Sequence, residues 1–167
     1  MPPIDPANLG NWYDEQAARL VLYARQLLPP GEAEDVVQDV FIRLMLQHRP
    51  PDNVKAWLYR SVRNAAVSWL RVRRRRQKRE RTRAVECREA FESRPDDLID
   101  ARVAEQMLAS LPQEQREAVV LRLWAGMTLR EIADLTGRTV TTAFRRYRAA
   151  LVKMRQGMES SCRKKTV

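Results

Sequence analysis

The stretch of sequence that decides the fold is MTLREIADLTGRTVTTAFRRYRAALVKM, at residues 127–154. Thr128 can cap a first helix while Glu131, three residues later, reaches back to the cap, a reciprocal arrangement known as a capping box. Gly137 supplies the backbone freedom that a tight turn needs, and Thr139 can cap a second helix after that turn. This spacing predicts a helix-turn-helix, a motif whose second helix enters the major groove of DNA.

The second predicted helix has one apolar side and one basic side. Its apolar residues recur at helical spacing and predict the side that packs on the rest of the domain: Val140, Ala143, Tyr147 and Leu151. The remaining surface carries hydroxyl and guanidinium groups, which are types that contact base edges: Thr141, Thr142, Arg145, Arg146 and Arg148. From this segment alone, an ordinary pair of helices with a solvated basic face is an alternative to DNA binding.

The composition favours a polyanionic partner. The 167 residues include 31 Lys and Arg against 21 Asp and Glu, a formal net charge of +10. This excess favours a nucleic acid over a membrane surface as the binding partner. Two distant cysteines suit a reducing compartment, and a single histidine offers no histidine- and cysteine-based metal site. No apolar run approaches the roughly 20 residues of a membrane span. We therefore expect a cytoplasmic protein without a cofactor, a metal or a membrane-inserted segment.

Three apolar stripes at helical spacing predict three helices in the first half of the chain. They cover residues 12–28, residues 33–47 and a third stretch from Val54 to Leu70, and prolines separate the first from the second and the second from the third. Three helices can share one core. Nine of the thirteen residues from 71 to 83 are Lys or Arg, which predicts that the third helix continues as a solvated basic extension.

A change of composition divides the chain into two halves. An acidic stretch containing Pro95 predicts a flexible linker over residues 81–100. The chain has no strand-like alternation, no internal repeat and no Gly-rich phosphate loop. The sequence therefore predicts an all-α fold of two small helical domains, residues 10–80 and residues 101–157, with the helix-turn-helix in the second.

Both predicted domains, in this order, resemble the extracytoplasmic-function (ECF) sigma factors, the small bacterial RNA polymerase sigma factors that keep only sigma regions 2 and 4. Three pieces carry the resemblance: AEDVVQDVFIRL at 33–44, KAWLYRSVRNAAVSWLRVRRRR at 55–76 and LPQEQREAVVLRLWAGMTLREIADLTGRTV at 111–140. The resemblance implies a protein that binds core RNA polymerase, recognises a two-part promoter and melts it to start transcription. It also implies an anti-sigma factor as a partner, and binding rather than enzymatic catalysis.

The resemblance assigns two sets of residues to the first domain. The first set is an acidic face of the second helix that would bind the clamp of core RNA polymerase: Glu34, Asp35, Gln38 and Asp39. The third helix supplies aromatic, polar and cationic side chains that hold an unstacked base and follow a single strand of the minus-10 element. These are Trp57, Tyr59, Arg60, Arg63, Asn64, Ser68, Arg71, Arg73 and Arg74. In the family, a loop near the position that matches Asn64 holds a flipped base in a pocket. Ser68 stands where the family often has Asp.

The resemblance assigns the helix-turn-helix to the major groove of the minus-35 element. The residues implied are Thr128, Arg138, Thr139, Thr141, Thr142, Arg145, Arg146 and Arg148. Arg146 matches the most regular arginine of the family motif. Phe144 stands where a Lys is common, and Ala149 stands where an Arg is common. Which arginine reads a base and which one contacts a phosphate is left open by the sequence.

Several residues and the function itself have a second interpretation. Periodicity alone predicts that Trp57 and Trp69 are core residues, and an acidic helix face alone is more often solvated than bound. The alternative function is a stand-alone helix-turn-helix regulator whose first domain dimerises or senses a ligand. An enzyme acting on nucleic acid is not expected, because no acid–base or metal-ligand constellation is present.

Overall fold

The computed structural model describes residues 4–80 and 106–164, and all regular structure within them is helical, as the sequence predicts. The predicted linker over residues 81–100 and the predicted domain start at 101–105 lie outside the described residues. The chain divides into two compact units. Of the helices in the described residues, three belong to the first unit and the others to the second. The helices are α1 Pro6–Ala24, α2 Pro30–Met45, α3 Val54–Glu80, α4 with its described part at 106–110, α5 Gln113–Leu123, α6 Leu129–Thr136 and α7 Val140–Lys164.

The first helix begins six residues before the predicted start at Trp12. Asp5 caps it, because its Oδ1 accepts a hydrogen bond of 3.1 Å from the backbone N–H of Ala7, and Pro6 occupies the first helical position, where no N–H is needed. The helix ends at Ala24 rather than at Leu28. Residues 25–27 form a turn instead of a further turn of helix. Leu28, the last apolar residue of the predicted stripe, is nevertheless buried, with 5% of its surface exposed.

The second helix also begins earlier than predicted, at Pro30 instead of Ala33. Pro30, one of the prolines expected to separate the first two helices, is instead the first residue of the second one. The backbone N–H of Ala33 donates to the carbonyl of Pro29 over 2.9 Å. A proline is as compatible with a helix start as with a helix end, and only the neighbouring cap distinguishes the two cases.

The core of the first unit lies where α1, α2 and α3 pack together. The side chains that fill it are at most 2% exposed: Leu20, Tyr23, Val37, Val40, Leu44, Leu58, Tyr59 and Val62. Asn53 caps α3, since its Oδ1 accepts a hydrogen bond of 2.9 Å from the N–H of Ala56. The helix continues past this core as predicted, and residues 71–76 are all exposed.

In the second unit the predicted capping box is confirmed. The N–H of Thr128 donates to Glu131 Oε2 over 2.7 Å, and the N–H of Glu131 donates to Thr128 Oγ1 over 3.2 Å. Gly137 ends α6 at φ 65°, in the left-handed region that favours glycine. The cap of α7 is confirmed too, because Thr139 Oγ1 accepts a hydrogen bond of 3.2 Å from the N–H of Thr142.

Candidate nucleic-acid interface

The side of α7 that packs on α5 and α6 is narrower than the sequence predicts. Ala143 and Ala150, seven residues apart, are 2% and 0% exposed and form the line of closest packing. Val140 and Leu151 were predicted to pack there and are 45% and 38% exposed. That prediction is wrong for these two residues, because small side chains let the helices approach closely and direct larger neighbours outwards.

The opposite side of α7 is the polar surface that the sequence predicts. Thr141, Arg145 and Arg148 are exposed and follow one another at spacings of four and three residues, so they line one side of the helix. Arg138, just before α7, is also exposed. The hydroxyl groups of the predicted contact residues Thr128, Thr139 and Thr142 take part in the caps described above or contact one another. These three threonines therefore help to fix where the two helices begin.

Arg146 occupies a different position from the other arginines of α7. Its Nη2 lies 2.6 Å from Glu114 Oε2, and the Arg146 side chain is 20% exposed against 61% for Glu114. Glu114 belongs to the first turn of α5, where a carboxylate interacts favourably with the helix dipole. The guanidinium group is thus held against α5 rather than presented beside Arg145 and Arg148. Sequence reasoning missed Glu114, since nothing in the pattern relates two residues 32 positions apart.

In the first unit, one side of α3 carries five of the predicted minus-10 residues. They recur at spacings of three or four positions and therefore share a face, which we call the α3 stripe: Trp57, Arg60, Asn64, Ser68 and Arg71. Trp57 is half-buried, and the other four are exposed. Arg73 and Arg74 are exposed on the basic extension next to it, and Arg63 is half-buried. An aromatic ring, an amide and cations are thereby aligned along one helix.

Tyr59 is not part of this surface, and its predicted contact with DNA is wrong. The side chain is 0% exposed, and its ring centroid lies 5.4 Å from that of Tyr23 in the core. Burial raises the pKa of the Tyr59 hydroxyl to about 12. The spacing of Tyr59, Val62 and Ala66, all buried, is the signal that could have placed it in the core.

Trp69 has a role that periodicity did not reveal. The indole is half-buried, and the guanidinium carbon of Arg73 lies 5.1 Å from the centre of its ring. A cation over an indole face at this distance is a cation–π contact. It fixes one arginine of the basic extension against the end of the packed part of α3.

The predicted polymerase-binding residues lie on the outer face of α2. Glu34, Asp35, Gln38 and Asp39 are all exposed, opposite the buried Val37, Val40 and Leu44. Glu34 forms an ion pair with Arg25, in the turn after α1. The face is therefore an acidic surface on a chain whose net charge is +10, and we call it the α2 acidic face.

Within 4–80 and 106–164, no helix combines the length and the apolar character that a membrane crossing needs. In the same part of the chain, no three His, Cys, Asp or Glu side chains are grouped so that they could hold a metal ion.

Comparison with known proteins gives the family. Residues 12–76 match Sigma-70 region 2, and residues 101–154 match Sigma-70, region 4. The ECF RNA polymerase sigma-E factor of Escherichia coli (strain K12) is 31% identical over 138 residues, which are 74% of this chain and 70% of that protein. The chain belongs to the ECF sigma factors. RNA polymerase sigma factor SigV of Bacillus subtilis (strain 168) is 28% identical over 127 residues, 74% of each protein.

Two solved structures share the fold of this ECF sigma factor. The sigma factor RpoE from Bartonella quintana, solved with the anti-sigma factor NepR, matches with a TM-score of 0.72 at 23% identity, covering 89% of this chain and 97% of that one. CnrH, solved with the cytosolic domain of CnrY, matches with a TM-score of 0.61 at 24% identity, covering 94% and 91%. Sigma factors are transcription initiation factors and not enzymes. The α2 acidic face and the α3 stripe lie in region 2 of this family, and the helix-turn-helix lies in region 4.

Proposed function

We propose that this ECF sigma factor binds core RNA polymerase, directs it to a two-part promoter and melts the minus-10 element. The observation that carries the proposal is the α3 stripe. Opening a duplex requires side chains that hold a base outside its stack and cations that follow the single strand. Trp57 and Asn64 supply the first kind of group, and Arg60 and Arg71 supply the second. A protein that only binds duplex DNA does not need such a stripe.

Recognition of the minus-35 element is proposed for α7. The exposed side of this helix presents Arg145 and Arg148, and arginine can pair with guanine in the major groove through two hydrogen bonds. Arg138 and Thr141 lie at the start of the helix, near the expected path of the phosphates. Arg146 is proposed as a residue that orients α7 on α5, because its ion pair with Glu114 links these two helices.

Core RNA polymerase is the proposed partner of the α2 acidic face. Four polar and acidic side chains stand together on one exposed surface of a chain whose net charge is +10. Such a local reversal of charge favours a basic protein surface as the binding partner of this face and disfavours DNA. We further propose that an anti-sigma factor binds the protein and that it acts in the cytoplasm. The support for the anti-sigma partner is that the sigma factor RpoE from Bartonella quintana, whose fold this chain shares, was solved in complex with the anti-sigma factor NepR.

The proposed function is tested with purified core RNA polymerase. The full chain is expected to be retained by immobilised core enzyme, and the resulting holoenzyme is expected to select a two-part sequence from a library of randomised duplexes. Permanganate should then modify unpaired thymines in the downstream part of the selected duplex. Core enzyme without the chain is the control. If the chain binds duplex DNA but is not retained by core enzyme, the stand-alone regulator is the better description.

A further inference from the structure

The recognition helix carries an exposed apolar patch along the edge of its polar surface. Phe144 is 45% exposed, and Val140, four residues earlier and next to it on the same side, is also 45% exposed. Thr141, three residues before Phe144, and Arg148, four residues after it, lie next to the pair and are exposed as well. Single exposed apolar residues are common on protein surfaces. This pair is unusual in its place, because it lies where the helix is proposed to meet DNA.

The packing of α7 fixes the direction of the Phe144 ring. Ala143 and Ala150 define the side that packs on α5 and α6. Successive residues of a helix are separated by about 100°, so the next side chain after Ala143 turns away from that side. Phe144 also lies in the second turn of α7, and the first turns of a recognition helix are the ones whose side chains reach base edges.

The chemistry of a phenyl ring limits what it can contact in a DNA groove. Phe144 has no charge for a phosphate and no donor or acceptor for the polar atoms of a base. The C5-methyl of thymine is the apolar group that a base pair presents in the major groove. We propose that Phe144, flanked by Val140, packs on a thymine methyl of the minus-35 element and makes the protein select an A·T pair there. This inference rests on the proposed function.

The test uses the full chain bound to core RNA polymerase. This holoenzyme first selects duplexes from a library in which the upstream element is randomised. The selected duplex is then resynthesised with one upstream thymine at a time replaced by deoxyuridine, which pairs identically but lacks the methyl group. One replacement is expected to weaken binding about fourfold, the factor that corresponds to returning one methylene-sized group to water.

Three variants connect this preference to the ring. Phe144→Ala is expected to bind the thymine and deoxyuridine duplexes equally. Phe144→Lys is expected to lose the preference and to steepen the dependence of log K on log salt by about one unit, since it adds a cation that can contact a phosphate. Leu151→Ala is the matched control, because Leu151 is 38% exposed on the same helix but lies about 10 Å further along its axis. It should keep the fourfold preference. Circular dichroism checks that each variant folds.

Three results would overturn the inference while leaving the proposed function intact. They are an unchanged affinity for every deoxyuridine duplex, a preference that survives in Phe144→Ala, and a selected upstream element without any A·T pair. If Val140 and Phe144 bind a protein partner instead of DNA, the thymine preference would survive in Phe144→Ala. Failure of the proposed function is distinguishable, because the holoenzyme would then select no duplex at all.

Discussion

At the scale of single residues, Tyr59 shows how strongly burial decides what a side chain can do. Its hydroxyl oxygen has no hydrogen-bond partner among the described residues, and it is buried in an apolar core. An unsatisfied buried hydroxyl destabilises a fold, and removing it is often neutral or favourable. We therefore expect Tyr59→Phe to leave the protein at least as stable as the wild type and to leave promoter opening unchanged.

The raised pKa of Tyr59 also predicts a dependence of stability on pH. The folded pKa is about 12, against 10.0 for an ordinary tyrosine. Between these values the unfolded chain loses the proton and the folded chain keeps it, so the free energy of unfolding falls as pH rises; below pH 10 the contribution is complete. The fall is roughly 2–3 kcal/mol, at 1.36 kcal/mol per pKa unit. Urea denaturation between pH 8 and pH 11 should show a shallower fall for Tyr59→Phe than for the wild type.

The control for this measurement is Tyr13→Phe, since the Tyr13 side chain is 47% exposed. This variant removes a tyrosine hydroxyl but keeps Tyr59, so the fall in stability that depends on Tyr59 should remain. Equal slopes for the wild type and Tyr59→Phe would show that the hydroxyl ionises in the folded protein as it does in the unfolded chain.

Glu114 gives a second prediction at the residue scale. Its carboxylate holds Arg146 over 2.6 Å while remaining 61% exposed, so the ion pair contributes at most about 1 kcal/mol to stability. Glu114→Gln removes a negative charge from the unit that is proposed to bind duplex DNA, and it releases a guanidinium group. We expect tighter binding to any duplex and a salt slope steeper by about one unit. Fluorescence titration on selected and on random duplex measures both. Asp134→Asn, an exposed residue with the same change of charge, should have a smaller effect.

At the scale of helices, the sequence predicts best where a local capping signal and an apolar stripe agree. The capping box of Thr128 and Glu131 and the turn at Gly137 locate α6 and the start of α7 correctly. The start of α1 was missed because the Asp5 cap precedes the apolar stripe. Along α7, periodicity gave the right helix but too wide a packing side, since it treats Ala143 and Val140 as equivalent apolar residues. Only tertiary contacts show that the smaller of the two lies inside.

The same limit applies to the candidate site. The spacing of Trp57, Asn64 and Ser68 suffices to place them on one face, because it follows from helix geometry alone. The ion pair of Arg146 depends on how α5 and α7 pack, which no local pattern contains. The cation–π contact of Trp69 and Arg73 was missed although the spacing of four residues permits it.

The second unit provides a prediction about a set of helices acting together. Isolated residues 101–157 contain the capping box, the turn and the packed side of α7, so they should fold as a helical unit and bind duplex DNA weakly. With about four to six phosphate contacts, the slope of log K against log salt would be roughly −4 to −5. Circular dichroism and titrations at several salt concentrations measure these properties. A slope near zero would be incompatible with docking of α7 in a groove.

At the scale of the whole molecule, the α2 acidic face is expected to join the protein to core RNA polymerase. Asp35→Lys combined with Asp39→Lys reverses two charges on exposed positions of α2, so the fold should persist while binding to core enzyme weakens. Competition with the labelled wild type for core enzyme measures the loss. Glu15→Lys with Asp134→Lys makes the same change of net charge at other exposed positions and should compete normally. If the variant with Asp35→Lys and Asp39→Lys competes normally, the α2 acidic face does not bind core RNA polymerase.

In the proposed function, promoter melting requires both units of the molecule, because one unit is expected to bind the duplex and the other to open it. Asn64 is exposed on the α3 stripe, which belongs to the first unit, whereas the helix-turn-helix belongs to the second. Asn64→Ala should therefore form the closed complex with core enzyme and promoter almost normally and then fail to open it. A base leaves its stack at a cost of a few kcal/mol, and contacts in the receiving pocket offset part of that cost. Gel shifts measure the first step, and permanganate footprinting measures the second.

A promoter that already contains an unpaired bubble provides the decisive control for this last prediction. The cost of unstacking has been removed from such a template, so Asn64→Ala should transcribe from it nearly as well as the wild type. A defect on the bubble template as well would mean that Asn64 acts after opening or supports the fold. If the variant opens duplex DNA normally, the receiving pocket must be formed by other residues of the same helix, and Arg63 and Ser68, one residue before Asn64 and four after it, are then the first to be replaced.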